Sequence, residues 1–445
     1  MKRILQLLTG LMVGGFLAAS APAQSIYSTP YTFTTIAGTA GITGFADGTN
    51  GSAQFYSPEG MAVDTNGNAY VADNYENTIR KVTPAGTNRV VTTIAGTAGT
   101  FGSADGTNGD AQFSGPANLA MDTNGNLYVA DGGNNTIRKI TPVGTNWVVS
   151  TIAGNAGSGG GSADGTNGNA QFNVPSGIAV DAGGNLYVAD TGNETIRKIM
   201  PAGTNWVVTT IAGKAGSYGS ANGTNSTARF NGPSSIAVDA GGNLYVADTY
   251  DHTIRKLAPA GTNWVVSTIA GTPGSHGSND GTNGSAQFFY PYGLTVDGAS
   301  NLYVADTYNS TIRKVAPVGT NWVVSTLGGV AGTSDSADGT GAGALFNTPY
   351  AIAADGAGNL YVADTGNSTI RMGQIAEVPN LTIGLTALNG VIVSWPALGS
   401  YNLQTNADLT PANWGNYAGA LTTSNGTNRV TIPSLAGNLF FRLTN

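Results

Sequence analysis

The apolar and polar positions along this chain follow a unit that recurs six times. The string YVAD ends at Asp73, Asp131, Asp190, Asp248, Asp306 and Asp364, at spacings of 58, 59, 58, 58 and 58 residues. TIR ends at Arg80, Arg138, Arg197, Arg255, Arg313 and Arg371 with the same spacings. A third string, TIAG, places Ile at 36, 94, 152, 211 and 269, with Leu327 as its sixth copy. In the third unit, Gly177–Asp181 is short and apolar, and Leu186–Asp190 alternates apolar and polar positions as a half-buried strand does. Thr195–Ile199 reads as a third strand and Trp206–Ala212, rich in β-branched residues, as a fourth. Turns at Asp181–Asn185 and Pro201–Asn205, built from Gly, Asn and Pro, separate them. Four antiparallel strands per unit, joined by hairpins, predict the blade of a β-propeller. A solenoid would need atypical capping units at its ends. These six are nearly uniform, as a closed ring allows.

The pattern also predicts how the ring closes. The sixth unit has strands near Ala351–Ala354, Leu360–Asp364 and Ser368–Gly373, then reaches Glu377-Val378-Pro379 without a TIAG string. The missing strand stands at the other end of the chain, as Tyr31–Gly38. Aligning Ile36 with Ile152 puts Tyr31 in the slot held by Trp147, Trp206, Trp264 and Trp322. Closure through this strand would remove an open sheet edge. Beyond Val378-Pro379 the period stops. Leu381–Leu388, Val391–Trp395, Tyr401–Gln404, Arg429–Ile432 and Leu439–Leu443 alternate between turn signals at Asn389-Gly390, Pro396, Pro411 and Asn425-Gly426, which predicts a small all-β sandwich. The expected organisation is a signal peptide at 1–23, a six-bladed propeller at 24–377 and a β-sandwich at 378–445.

The repeat, GIAVD-x-GNLYVAD-TGN-x-TIRKI-x-P, resembles the NHL-repeat family of β-propellers over about residues 31–375. The unit is longer than the family's usual repeat, and the excess lies between TIAG and the next proline. That loop carries ADGTNGxAQF, as in Asp47 to Phe55, Asp105 to Phe113 and Asp164 to Phe172. Asp and Asn next to Gly suggest a calcium loop, but each copy offers one Asp, and the fourth has Asn222 instead. The expectation is that the Asp caps a tight turn and the Phe packs between blades. In the tail, VIVSWPALGSYNLQTN resembles a fibronectin type III module, with Trp395 on an early strand and Tyr401 on the next. The tail also resembles C-terminal modules of exported bacterial proteins, used for adhesion or surface retention. The alternative is a plain spacer.

Composition narrows the function classes. Only 10% of residues are charged and the formal net charge is −7. That excludes a coiled coil, a charge-driven disordered chain and a basic nucleic-acid binder. Lys2 and Arg3 precede an apolar run from Ile4 to Ala19, followed by Ala21-Pro22-Ala23, the three parts of a secretory signal. The run is broken by Gln6, Thr9 and glycines and is short for a membrane span. The protein is therefore expected outside the cytoplasm, whether periplasmic, secreted or at the cell surface, and as a monomer. With no cysteine, disulfides are excluded.

Most charges belong to the repeat. Of the 18 basic residues, 11 lie in the TIRK strings, and acidic residues end both the first strand and YVAD in every unit. A residue present in every blade serves blade geometry first. The YVAD aspartates are expected to cap a turn or to pair with the Arg of TIR, as cross-strand pairs of about 0.2–1 kcal/mol.

Function is therefore sought where blades differ. The residue after the loop proline is Glu59, Ala117, Ser176, Ser234, Tyr292 or Tyr350. The turn after YVAD carries Tyr75 and Glu76 in blade one, Tyr250, Asp251 and His252 in blade four, and Tyr308 in blade five. Blades four, five, six and one are contiguous in a ring, so one arc of one face is rich in tyrosine and carboxylate. Such rings suit stacking on a sugar or gripping a peptide. The expected function is non-catalytic binding of a protein, peptide or glycan, with no cofactor and no catalytic or metal residues. Some propellers that resemble this one are lyases or lactonases with a channel metal, which is the alternative. With His252 and His276 the only histidines, a three-histidine zinc site is impossible. Other NHL proteins bind RNA on a basic face. Here the variable positions are neutral to acidic, so no nucleic-acid partner is expected.

Overall fold

A computed structural model of the chain describes residues 5–6, 30–157, 159–376, 381–385, 391–396, 402–406, 415–424, 427–432 and 439–444. Two compact units divide it. Pro30–Ile375 form one, and residues 1–29 with 376–445 form the other. The signal segment apart from Leu5–Gln6, the Val378-Pro379 boundary, Tyr401 and the turn signals at 389–390, 411 and 425–426 lie outside the described residues.

The larger unit is a six-bladed β-propeller. Blade three shows the construction. Pro175–Val180 lines the channel, followed outward by Leu186–Asp190, Thr195–Ala202 and Asn205–Gly213, all antiparallel. The third strand is longer than the pattern suggests. It runs through Pro201, which pairs with Trp206, and the turn shrinks to Gly203-Thr204. Gly203 has φ +66, open to glycine without strain. A fifth strand, unforeseen because it is two residues long, comes from the ADGTNG loop. Gly165–Thr166 pairs with Val208 and Val207 on the outer edge, and every blade repeats this.

The ring closes through the N-terminal strand. Tyr31–Ala37 lies between Gly339–Thr340 and Thr369–Ile375, with Tyr31 opposite Ile375 and Phe33 opposite Gly373. Tyr31 meets Tyr303 edge-on at 6.4 Å, the contact that Trp206 makes with Tyr128 at 5.9 Å. Ala69, Val71 and Val82 of blade one pack in one cluster with Tyr361, Ala363 and Ile370 of blade six, so the last seam has an apolar core like the others.

The repeated charges are inside. Arg197 is fully buried and bridges Asp190 at 2.7 Å and Asp164 at 2.9 Å, with carbonyl oxygens of Gln171 and Ala163 accepting further N–H bonds. Its guanidinium lies 5.0 Å from the Phe172 ring centroid. The ADG aspartate thus does not cap a tight turn, as expected from the sequence. It ties the long loop to the blade through Arg197 and Thr210. Asn222 replaces it in blade four and still accepts from Arg255 at 3.0 Å. The Asp64 series does cap its turn. Asp64 accepts the backbone N–H groups of Asn66 and Asn68 at 2.9 Å each.

The smaller unit is a β-sandwich. Thr382–Leu385, Val391–Pro396, Thr427–Ile432 and Leu421–Ser424 form one four-stranded sheet. Leu5–Gln6, Phe440–Thr444, Asn402–Asn406 and Gly415–Asn416 form the other, with Leu5 opposite Phe441. Trp395, Val393, Leu403 and Phe441 fill its core.

Candidate functional site

Each loop proline begins an inner strand, so the residue after it stands at the channel mouth. Glu59, Ala117, Ser176, Ser234, Tyr292 and Tyr350 converge there, with Asn118, Ser235 and Gly293, around a depression of about 70 Å³. Threonine hydroxyls set the order of the ring. Thr191 donates to the Pro233 carbonyl, Thr249 to Pro291, Thr307 to Pro349, and Thr365 to Pro58 across the closing seam. Tyr350 therefore stands between Tyr292 and Glu59. The rings of Tyr292 and Tyr350 stack at 4.4 Å with 26° between planes, and both are half-buried. Burial raises the Tyr350 phenol, and the Glu59 carboxylate beside it raises it further. Tyr250 and Tyr308 lie near enough to contribute to the same shift. Burial also lifts Glu59 to about 7, against the Ser57 hydroxyl that donates to it at 2.9 Å.

Of the other expected residues, the tyrosines are open and the polar ones are not. Tyr75, Tyr250 and Tyr308 are 62, 50 and 49% exposed, while Glu76, Asp251 and His252 retain 8, 8 and 6%. The sequence reading placed those last three on the ligand face. Glu76 and Asp251 stand instead in the slot of Asn193, whose amide donates to Asp190 at 2.8 Å and to the Gly161 carbonyl at 2.7 Å. Turns of this kind send the third residue inward, so they belong to the wall below the face. Carboxylates cannot donate, and burial, reinforced by Glu76 and Asp251, pushes Asp73 and Asp248 up to about 7 against the pull of Arg80 and Arg255. Asp251 accepts from Asn231 through one oxygen, and its other oxygen has no partner. His252 is left-handed at φ +58, and its Nδ1 accepts the Tyr290 N–H at 3.1 Å, as Asn135 Oδ1 accepts from Val174. It is a seam acceptor with a lowered pKa, chiefly from burial and then from His276.

Four aromatics were missed. Tyr56 stacks on Tyr75 at 4.0 Å. His276 stacks on Phe289 at 4.6 Å, and Tyr290 meets Tyr308 edge-on at 4.8 Å and His252 at 4.7 Å. The signal lay in the two positions before the proline. There Tyr56, Phe289 and Tyr290 replace the Ser, Asn, Gly, Val or Thr of other blades.

The channel below is about 310 Å³, walled by Met61, Leu119, Met121, Ile178, Ile236 and Leu294 among other apolar side chains. Among the described residues no three His, Asp or Glu side chains converge as a metal site would require.

A family model for the NHL repeat matches residues 55–82 and 230–257, and one for the teneurin NHL domain matches 107–200. The chain carries NHL repeats. It is 31% identical over 312 residues to Protein SUPPRESSOR OF QUENCHING 1, chloroplastic, of Arabidopsis thaliana, covering 66% of this chain and 28% of that one. It is 30% identical over 299 residues to human NHL repeat-containing protein 2, covering 61% and 40%. This NHL chain thus spans well under half the length of these relatives. Among solved structures, a Bacteroides thetaiotaomicron protein of unknown function aligns at TM-score 0.59 and 22% identity over 77% of this chain and 75% of that one. An auxiliary nutrient binding protein from Bacteroides ovatus aligns at TM-score 0.59 and 18% identity over 79% and 78%. These likenesses bear on the propeller fold. What the NHL face can do chemically follows from its own residues: flat neutral phenols, one carboxylate and serine hydroxyls already engaged within the wall.

Proposed function

We propose that this NHL propeller is an exported, non-catalytic binding module whose ligand, a peptide or glycan, seats on the tyrosine arc at the channel mouth. The observation that carries this is the stacked, half-buried Tyr292–Tyr350 pair, at positions other blades fill with Glu, Ala or Ser. Aromatics that the fold does not require, gathered on one side of one face, are the chemistry of a recognition surface. An auxiliary nutrient binding protein of the same fold is a precedent for such a role. A metal-dependent lyase or lactonase would need ligands that the apolar channel wall does not bring together.

The test starts from an unbiased peptide and glycan array. Each ring contributes about 0.5–1.5 kcal/mol beyond burial, so Tyr292→Ala with Tyr350→Ala should weaken a captured ligand by roughly 5- to 150-fold. Melting temperature should hold within about 2 °C. The control is Phe101→Ala with Tyr218→Ala, exposed rings that do not line the depression. Equal binding by both pairs would sink the proposal, as would a tightly held metal ion in the purified protein together with array silence.

A further inference from the structure

The channel mouth carries a specificity that the tyrosines alone do not explain. Glu59 is the one carboxylate lining the depression, and no lysine or arginine lines it. Among the described residues, every ion pair joins a TIR arginine to a repeat aspartate, and none reaches Glu59. Its Oε1 accepts from Ser57. Two neighbouring hydroxyls are engaged elsewhere: Ser234 donates to the Tyr292 carbonyl at 2.9 Å, and Ser176 lies 2.9 Å from the Thr191 hydroxyl, whose proton goes to Pro233. Tyr292 covers one face of Tyr350, and the ring order puts its other face, which meets no second ring among the described residues, on the Glu59 side. A carboxylate without a cation, beside such an aromatic face, is complementary to an organic cation.

The size of the site favours a small head group. About 70 Å³ takes roughly five water centres at about 10–15 Å³ each. That is enough for an ammonium head with the methylenes behind it, which needs only one counter-ion and one ring face. We propose that the channel mouth captures the primary ammonium of a lysine side chain on a peptide ligand, with Glu59 as counter-ion and Tyr350 as the cation–π face. This rests on the arc being a ligand surface and names the chemistry it selects. The groups facing Glu59 are the Ser57 hydroxyl and the Tyr350 phenol, with Tyr292 beyond, and neither phenol ionises near neutrality. Glu59 itself, held near 7 by burial, is the group that switches, so capture strengthens as pH rises through that value.

The experiment is calorimetric titration of the full chain with Nα-acetyl-lysine methylamide and with its neutral isostere, Nα-acetyl-norleucine methylamide, at pH 8 and pH 6. At pH 8 the lysyl probe should bind at least ten-fold more tightly, and the preference should shrink at pH 6. Glu59→Gln should reduce it to below about two-fold at pH 8, with melting temperature checked in parallel. The wild-type pH comparison stands even if that variant folds poorly. Equal binding of the two probes, no binding of either, or a preference that survives Glu59→Gln or is flat with pH would overturn the assignment. Tighter binding of glucosamine than of the lysyl probe would overturn it in favour of an amino sugar. If the array ligand still depends on Tyr292 and Tyr350 while the lysine preference is missing, only the ammonium assignment fails.

Discussion

Blade six differs from the other five at one cross-strand pair, and that pair offers a demanding test of the closure. In blades one to five the outer strand contributes Val91, Val149, Val208, Val266 and Val324, opposite Val82, Ile140, Ile199, Leu257 and Val315. In blade six the pair is Phe33 opposite Gly373. Phe33 is fully buried, meets Phe346 edge-on at 5.1 Å, and fills the space a side chain at Gly373 would take, since a Cβ there would collide with its ring. A Cβ at Gly328, where other blades have Ala, would sit 2.7 Å from the same ring. Phe33→Val removes four carbons, about 3 kcal/mol at roughly 0.8 kcal/mol per buried CH₂, before any cavity term. Gly373→Val with Phe33 retained overpacks the site, at about 1–3 kcal/mol or more. With an unfolding entropy of about 2.1 cal/mol/K per residue over roughly 350 residues, 3 kcal/mol is about 4 °C of melting temperature. Each single variant should lose a few degrees. The double variant installs the Val–Val pair of blades one and five and should return to within about 1–2 °C of the parent, a coupling of at least 2 kcal/mol. Differential scanning calorimetry of the four proteins reads this directly. Singles within 1 °C of the parent, or a double no better than the worse single, would refute the packing of the N-terminal strand into blade six.

Further outcomes follow from the buried charges. Arg197→Met leaves Asp190 buried without its guanidinium and should cost about 3–5 kcal/mol, far more than a surface pair, seen as a melting loss of several degrees. Asp251→Asn gives the wall back its amide donor toward Asp248 and should raise the melting temperature by about 1–2 °C. A loss of stability would show that the Asp251 carboxylate is required. His252 has a depressed pKa in the folded state, so its contribution is complete above its unfolded value of about 6.5 and is lost as pH falls from there toward the folded value. His252→Asn keeps an acceptor for the Tyr290 N–H, and the wild-type minus variant difference in melting temperature should fall only below that pH. A difference flat from pH 8 to 5 would argue against the seam role.

The four long strands of each blade, the six blades and the closing strand were legible because apolar alternation and turn chemistry repeat in phase, and a repeat reports its own register. The Gly165–Thr166 strand was not legible, since two residues carry no period and pair only because the long loop folds back on the outer edge. In the candidate site, comparing blades position by position found Tyr292 and Tyr350, because strand alternation fixes where the residue after the proline stands. The same comparison misplaced Glu76, Asp251 and His252. Their side-chain directions are set by a tight turn ending in a left-handed residue, Asn77 in blade one and His252 in blade four, a geometry that polarity alone does not encode. It missed Tyr290 because a bulky residue is a poor guess for a position at φ +50, where Gly115 and Gly232 stand in other blades.

The low charge content and the character of the face are linked. All six TIR arginines are fully buried, each against the YVAD aspartate of its own blade. The lysines that follow Arg80, Arg138, Arg197, Arg255 and Arg313 lie over Tyr70, Tyr128, Tyr187, Tyr245 and Tyr303, about the blades' outer strands. Eleven of the 18 basic residues are therefore spent on the scaffold, and the channel mouth is left with none. A single glutamate placed there meets no competing protein cation, so its charge is available to a ligand. The repeat that makes the ring rigid is thus also what leaves a carboxylate without a protein cation at its mouth, beside the Tyr292 and Tyr350 rings.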